Sequence, residues 1–321
     1  MKKIKAFLIH NPPVSWLIAW SKTLVLPGFD GMPVYDVADF FVHGIRKGAV
    51  TMRASALAYS FFMAIFPSVI FLFTLIPYIP IKGFQDELLI FIKDFLPKSA
   101  YAATIDTIED IIKHQRGGLL SFGFLSAMYF STNGINAMMK SFNQTVHSIE
   151  TRPEWKQRLI SIMLTLLIAF LVILSVSLII FSEFGFHYLV KIHWLKSKVT
   201  YQILLVGKWL IILALFFIAI SFLYYWGPAK RKRYRFVSAG STLATVLTIV
   251  ISIGFAYFVN NFGSYNKLYG SIGSLLVIML WIYFNSLVLL IGFELNASID
   301  NAGVVIKKPK PKSKLFSILK G

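Results

Sequence analysis

Residues 159–182 read LISIMLTLLIAFLVILSVSLIIFS, without a single Asp, Glu, Lys or Arg. At about 1.5 Å per residue a helix of this length reaches roughly 36 Å, enough to cross the ~30 Å hydrocarbon core of a bilayer. Helix is the expected form, because lipid offers no partners to backbone polar groups. The ten-residue alternation of barrel strands is also missing.

Five more stretches are equally free of charge: Ala54–Ile81, Gly117–Met139, Trp209–Ala229, Phe236–Asn266 and Leu268–Phe293. The last two are separated only by Lys267. The polar run Asn260-Asn261-Phe262-Gly263-Ser264-Tyr265-Asn266 predicts a tight hairpin between them. The expected fold is an all-α integral membrane protein, a bundle of six transmembrane helices with amphipathic interfacial helices. Composition agrees: 57% of residues are hydrophobic and 14% charged, against about a quarter charged in soluble domains. This excludes a soluble enzyme. Cysteine is absent, which removes disulfides, thiolate metal sites and cysteine nucleophiles.

The formal net charge is +18, and its distribution sets an orientation. With the N-terminus inside, segments 1–53, 140–158, 230–235 and 294–321 hold 22 of the 32 Lys and Arg residues. The positive-inside rule then places both termini in the cytoplasm. The strongest anchor is Lys230-Arg231-Lys232-Arg233 with Arg235. The weakest segment is 183–208, with four Lys and one Glu on the opposite side.

Three regions follow. Residues 1–53 form a cytoplasmic and interfacial segment, with Trp16 and Trp20 placed for the interface and an amphipathic helix over Val37–Arg53. Asn11-Pro12-Pro13 breaks the early apolar run and no small-residue cleavage site follows, which argues against a cleaved signal peptide. Residues 54–300 form the transmembrane domain. Its external loop, 82–116, carries helical spacing at Leu88, Leu89, Ile92, Phe95 and Leu96 and again at Ile105, Ile108, Ile111 and Ile112. Two short amphipathic helices broken at Pro97 are predicted, as a cap or a lid. Residues 301–321 form a basic tail. Its run Lys-Lys-Pro-Lys-Pro-Lys-Ser-Lys from Lys307 to Lys314 predicts an extended, disordered segment.

Polar residues inside the spans mark the candidate site. Asn133, Asn136, Lys140, Asn143 and His147 fall on one stripe at spacings of three and four. Such a stripe faces other helices or water, as interhelical hydrogen bonds or as a polar path. Lys140, near the helix end, is also placed to snorkel. Ser241, Thr245, Thr248, Ser252 and Ala256 form a small-residue packing face. That face leads to Asn260, Tyr265, Asn266 and Tyr269 at the outer hairpin, either a re-entrant element or an ordinary turn. Asn285 and Asn296 share a face three turns apart. Glu294, the acid at the inner end of the last span, is expected to pair with Arg53 or Arg235, with a coupling-proton role as the alternative.

Three blocks resemble a known family. The first is Ala54-Ser55-Ala56-Leu57-Ala58-Tyr59-Ser60-Phe61-Phe62 through Pro67. The second is Ser131-Thr132-Asn133-Gly134-Ile135-Asn136-Ala137, through Phe142-Asn143 to Glu150-Thr151-Arg152. The third is Asn261-Phe262-Gly263-Ser264-Tyr265-Asn266-Lys267-Leu268-Tyr269-Gly270-Ser271-Ile272-Gly273, ending in Gly292-Phe293-Glu294-Leu295-Asn296-Ala297. Over residues 37–300 the chain resembles the YihY/BrkB family of bacterial inner-membrane proteins. The resemblance implies six helices with cytoplasmic termini. The family has carried the labels ribonuclease BN and virulence factor, neither of which defines a mechanism.

Residue chemistry speaks against the nuclease. His10, His43, His114, His147, His187 and His193 are scattered, and no metal-ligand or triad motif is present. No catalytic residue, metal or cofactor is expected. The leading expectation is handling or transport of an amphiphile such as a lipid or envelope precursor. The alternatives are a non-transporting scaffold for envelope proteins and, disfavoured, a tRNA-processing ribonuclease. Expected partners are anionic inner-leaflet lipids, met by Lys230–Arg235 and the Lys307–Lys314 tail, and an envelope protein. Nucleic acid is disfavoured because no aromatic residues interleave with these lysines.

Overall fold

The computed structural model describes residues 12–47, 49–78, 85–86, 88–90, 98–145, 148–149, 152–191, 198–229, 235–261 and 271–307. Its helices of a turn or more are α1 (Pro12–Thr23), α2 (Val34–Lys47), α3 (Val50–Leu75), α4 (Lys98–Lys113), α5 (Gly117–Asn143), α6 (Glu154–Lys191), α7 (Lys198–Trp226), α8 (Ala239–Asn261) and α9 (Ser271–Lys307). A 3-10 turn, Ile76–Tyr78, ends α3 at Pro77. Gln144–Thr145 and Ser148–Ile149 pair as a two-residue antiparallel ribbon after α5.

Among the described residues, five segments are long and apolar enough to cross a membrane: Val50–Tyr78, Glu154–Ile179, Leu204–Trp226, Ala239–Val259 and Leu275–Gly303. The protein is an all-α integral membrane protein. The expected second span is a 27-residue helix, α5, but it falls short of the other five in apolarity. Asn133 and Asn136, with Ser121, Ser126, Ser131 and Thr132, dilute it.

Helix lengths also depart from the charge-free stretches. α6 runs 38 residues and α9 runs 37. α9 passes beyond Phe293 through Glu294 and Asp300, because protein rather than lipid covers that part. Met32 and Val37, with Phe40 beside them, pack on Ile299, Ala302 and Leu295. The apolar face of α2 is therefore spent on α9. On α1, the Trp16 and Trp20 rings stack at 6.4 Å and both stay exposed.

The core lies at the end of the bundle where α3 begins and α5 ends, called here the basic end. Leu57, Met138, Met139, Leu164, Tyr224, Val288 and Phe293 are buried there. Phe142 stacks on Phe293 at 4.2 Å and meets Tyr224 edge-on at 5.5 Å. The buried Tyr224 hydroxyl donates to the Leu289 carbonyl at 2.6 Å. At the opposite end Ile112 and Ile76 are buried together, with Phe73, Leu88, Leu89 and Ile108 against them. α4 thus packs on the end of α3. On α4 itself Lys113 Nζ donates to Glu109 Oε1, and that carboxylate raises the Lys113 pKa above the ordinary lysine value. The companion helix expected up to Pro97 lies largely outside the described residues.

Glycines set how closely helices approach. A Cβ on Gly134 would stand 2.8 Å from the Phe61 ring, and one on Gly123 3.2 Å from the Phe71 backbone, which fixes α5 against α3. The α8–α9 seam is tighter. A Cβ on Gly292 would meet the Tyr224 hydroxyl at 2.6 Å and both Ala244 and the Gly240 carbonyl at 2.7 Å. Along the small-residue face Ser241 and Thr245 are buried, Thr248 and Ser252 half-buried and Ala256 exposed, so the seam is closest at the basic end of α8. Gly292→Ala should cost about 1–3 kcal/mol through overpacking, read as a lower melting temperature in detergent. Gly254→Ala is the control, since nothing lies within 4 Å of its Cβ position; it should not lower the melting temperature.

Candidate functional site

The polar stripe of α5 is divided by the structure into two parts. Asn133 and Asn136 face α6. Gln157 Nε2 donates to Asn136 Oδ1 at 2.7 Å, and the Arg158 guanidinium donates to Asn133 Oδ1. Arg158 also sits over the Tyr129 ring, 5.4 Å from its centroid. Asn143 turns away: it is buried, and its Oδ1 accepts the Ala229 N–H at 2.8 Å, tying α5 to the end of α7. Arg152 reinforces that tie through the Pro228 carbonyl.

Asn136 and Lys140 of α5 and Glu154, Trp155, Gln157 and Arg158 of α6 line an open cleft of about 300 Å³. Lys140 and Glu154 are exposed, Arg158 is half-buried and Gln157 is buried. Among the described residues the charged groups of Lys140, Glu154 and Arg158 make no ion pair with one another. Opposite charges therefore stand around the cleft without closing it.

The same face of α5 continues along the helix. Phe122, Leu125 and Tyr129 are exposed, by 65%, 66% and 56%. Together with Asn133, Asn136 and Lys140 they recur at spacings of three and four, one stripe about 27 Å long at 1.5 Å per residue. Half of it is apolar and half polar. The exposed face of α6 starts at the cleft with Trp155 and Leu159 and goes on through Leu166.

Glu294 sits elsewhere, in the core of the basic end, with 1% of its side chain exposed. Arg53 Nη2 lies 3.4 Å from Glu294 Oε2, while its Nη1 donates to the Ser141 and Gln144 carbonyls at 2.7 and 3.0 Å. One guanidinium thus joins α3, the end of α5 and α9. Gly44 of α2 closes over it: a Cβ there would collide with Glu294 Oε1. Arg235, the other proposed partner, instead pairs with Asp30 at 2.8 Å. Its position after the basic loop carries it to the α1–α2 connection.

Asn285 and Asn296 share a helix face but no task. Asn285 Nδ2 donates to the Trp281 carbonyl of its own helix. Asn296 is buried; its Oδ1 accepts the Gly240 N–H at 2.8 Å and its Nδ2 donates to Ser238 Oγ at 2.9 Å, so it caps the start of α8. Tyr265, Asn266, Tyr269 and His147, and the side chain of Asn260, lie outside the described residues, as do Lys230–Tyr234 and most of the lysine tail. Among the described residues no three His, Asp or Glu side chains come together to hold a metal ion.

The cleft residues Glu154, Trp155, Gln157 and Arg158 were not singled out by the sequence. They precede the charge-free stretch from Leu159 and entered the sequence reading only through the charge count of segment 140–158. The available signal was Gln157-Arg158 one turn inside a helix whose neighbour carries two asparagines.

Residues 41–315 match the family described as virulence factor BrkB. A ribonuclease-like protein, YfkH, of Bacillus subtilis (strain 168) is 32% identical over 246 residues, covering 76% of this chain and 88% of its own. The UPF0761 membrane protein Smlt0865 of Stenotrophomonas maltophilia (strain K279a) is 26% identical, over 81% of this chain and 59% of its own length. The UPF0761 membrane protein VSAL_I2938 of Aliivibrio salmonicida (strain LFI1238) is also 26% identical, over 82% of this chain and 83% of its own. No solved structure matches. With most of its length on the family's pattern and relatives of that kind beside it, the chain belongs to the BrkB/YihY family of membrane proteins.

Proposed function

We propose that this protein handles an amphiphile, holding its polar head in the cleft of Lys140, Glu154 and Arg158 and moving it along the outer face of α5. The observation that carries this reading is the single stripe from Phe122 to Lys140, apolar at one end and polar at the other. A lipid is built the same way. Asn133 and Asn136 extend polar groups inward from the helix end, where an ordinary lipid-facing surface is apolar. The reading includes the cytoplasmic membrane of a bacterium, with both termini inside. The 22-to-10 division of Lys and Arg supports that placement. The ribonuclease-like name belongs to the Bacillus relative, and the described residues offer no metal-holding cluster on which to base such chemistry here.

The test is reconstitution of the full chain into vesicles that carry a fluorescent phospholipid, with dithionite quenching of the outer leaflet. Wild-type protein should bring inner-leaflet lipid out faster than protein-free vesicles do. Rates equal to the protein-free control would remove the transport reading.

A further inference from the structure

The charges around the cleft select among amphiphiles. Resting on the reading above, we infer that the cleft takes a zwitterionic phospholipid headgroup of the phosphoethanolamine type. Its phosphate meets Lys140 and Arg158, and its ammonium meets Glu154.

Two cations and one carboxylate line the same cleft of about 300 Å³. Arg158 is a planar donor fork, suited to phosphate oxygens, and Lys140 adds a point charge. Part of the Arg158 fork is already oriented by Asn133 and by the Tyr129 ring, which lowers the cost of ordering it around a ligand. A purely anionic headgroup would satisfy these two and be repelled by Glu154. A zwitterion satisfies all three. Glu154 pairs with neither Lys140 nor Arg158, which leaves its charge available to the headgroup ammonium. Trp155, exposed by 66% at the rim, is the amphipathic ring that settles where headgroups meet acyl chains. The stripe of Tyr129, Leu125 and Phe122 then continues where the chains of the lipid would run.

The experiment is calorimetric titration of the detergent-purified full chain with short-chain phosphatidylethanolamine, short-chain phosphatidylglycerol and inorganic phosphate. Phosphatidylethanolamine should bind about fivefold tighter than phosphatidylglycerol, the size of effect expected for one partly exposed ion pair. Glu154→Gln should abolish or reverse that preference, and Lys140→Ala should weaken both lipids. Glu154 is exposed and, among the described residues, its side chain makes no hydrogen bond or ion pair, so the variant should melt with wild type. Equal binding of the two lipids, unchanged by Glu154→Gln, would overturn the zwitterion assignment and leave amphiphile handling standing. Inorganic phosphate binding as tightly as either lipid would overturn the lipid assignment itself. Binding of neither lipid, with lipid movement intact in vesicles, would overturn this cleft as the site while sparing the transport reading.

Discussion

Arg53→Met should destabilise the protein by about 3–5 kcal/mol, the usual consequence of removing one partner from a buried ion pair. Glu294 is 1% exposed and Arg53 12%. Loss of the guanidinium removes the cationic partner of a carboxylate that is 1% exposed, and also strips a donor from each of the Ser141 and Gln144 carbonyls. Ser141 lies in the last turn of α5 and Gln144 just beyond it; the Ser141 carbonyl also accepts the Gln144 N–H, and Arg53 adds a second donor to it. The double variant Arg53→Met/Glu294→Leu should recover most of the loss, since a buried pair replaced by apolar groups is often neutral. It should not recover all, because the carbonyl bonds remain broken, at about 1 kcal/mol each. Abundance in membranes and the melting temperature in detergent measure both. A single variant as stable as wild type would mean that the pair contributes nothing to the fold.

Arg158→Leu should lower lipid movement in vesicles by roughly tenfold or more. It removes a charge-assisted hydrogen bond to phosphate, worth about 1.5–3 kcal/mol, and tenfold corresponds to about 1.4 kcal/mol. It also releases Asn133 and uncovers Tyr129. Insertion should survive, because leucine is at home at the start of a membrane helix. Arg158→Lys keeps the charge but loses the fork, and should fall between the two. The readout is the quenching rate at matched protein density, together with the melting temperature. Wild-type rates in Arg158→Leu would show that the cleft is not on the path.

Much of the fold could be read from the absence of charge. Where the structure describes them, the long apolar stretches are helical over most of their length, because lipid leaves the backbone no other partner. The ends were less legible. α9 passes Glu294 and Asp300 because α2 covers it, a fact set by residues some 260 positions earlier in the chain. The Arg53–Glu294 contact was open to reading, since a buried acid at a span's end requires a base. Spacing alone misled at Asn285 and Asn296: a shared face does not decide what each side chain meets, and Gly240 drew Asn296 away. Asn143 continued the stripe by periodicity, yet the turn after α7 claimed it. The α6 half of the cleft was hidden for a similar reason. Gln157 and Arg158 have no periodic signature of their own and acquire meaning only through the neighbouring α5.

The chain has no cysteine, so one introduced thiol reports one position without background. Asn133→Cys lies ten residues from the end of α5, about 15 Å along the helix and below the headgroup level. Val250→Cys, exposed by 57% and eleven residues into α8 from the same end of the bundle, serves as the depth control. Vesicles containing a phospholipid with a thiol-reactive headgroup should label Asn133→Cys, and Val250→Cys far less, because only the α5 face leads a headgroup inward. Labelling that is equal at the two positions, or absent at Asn133→Cys, would contradict the account.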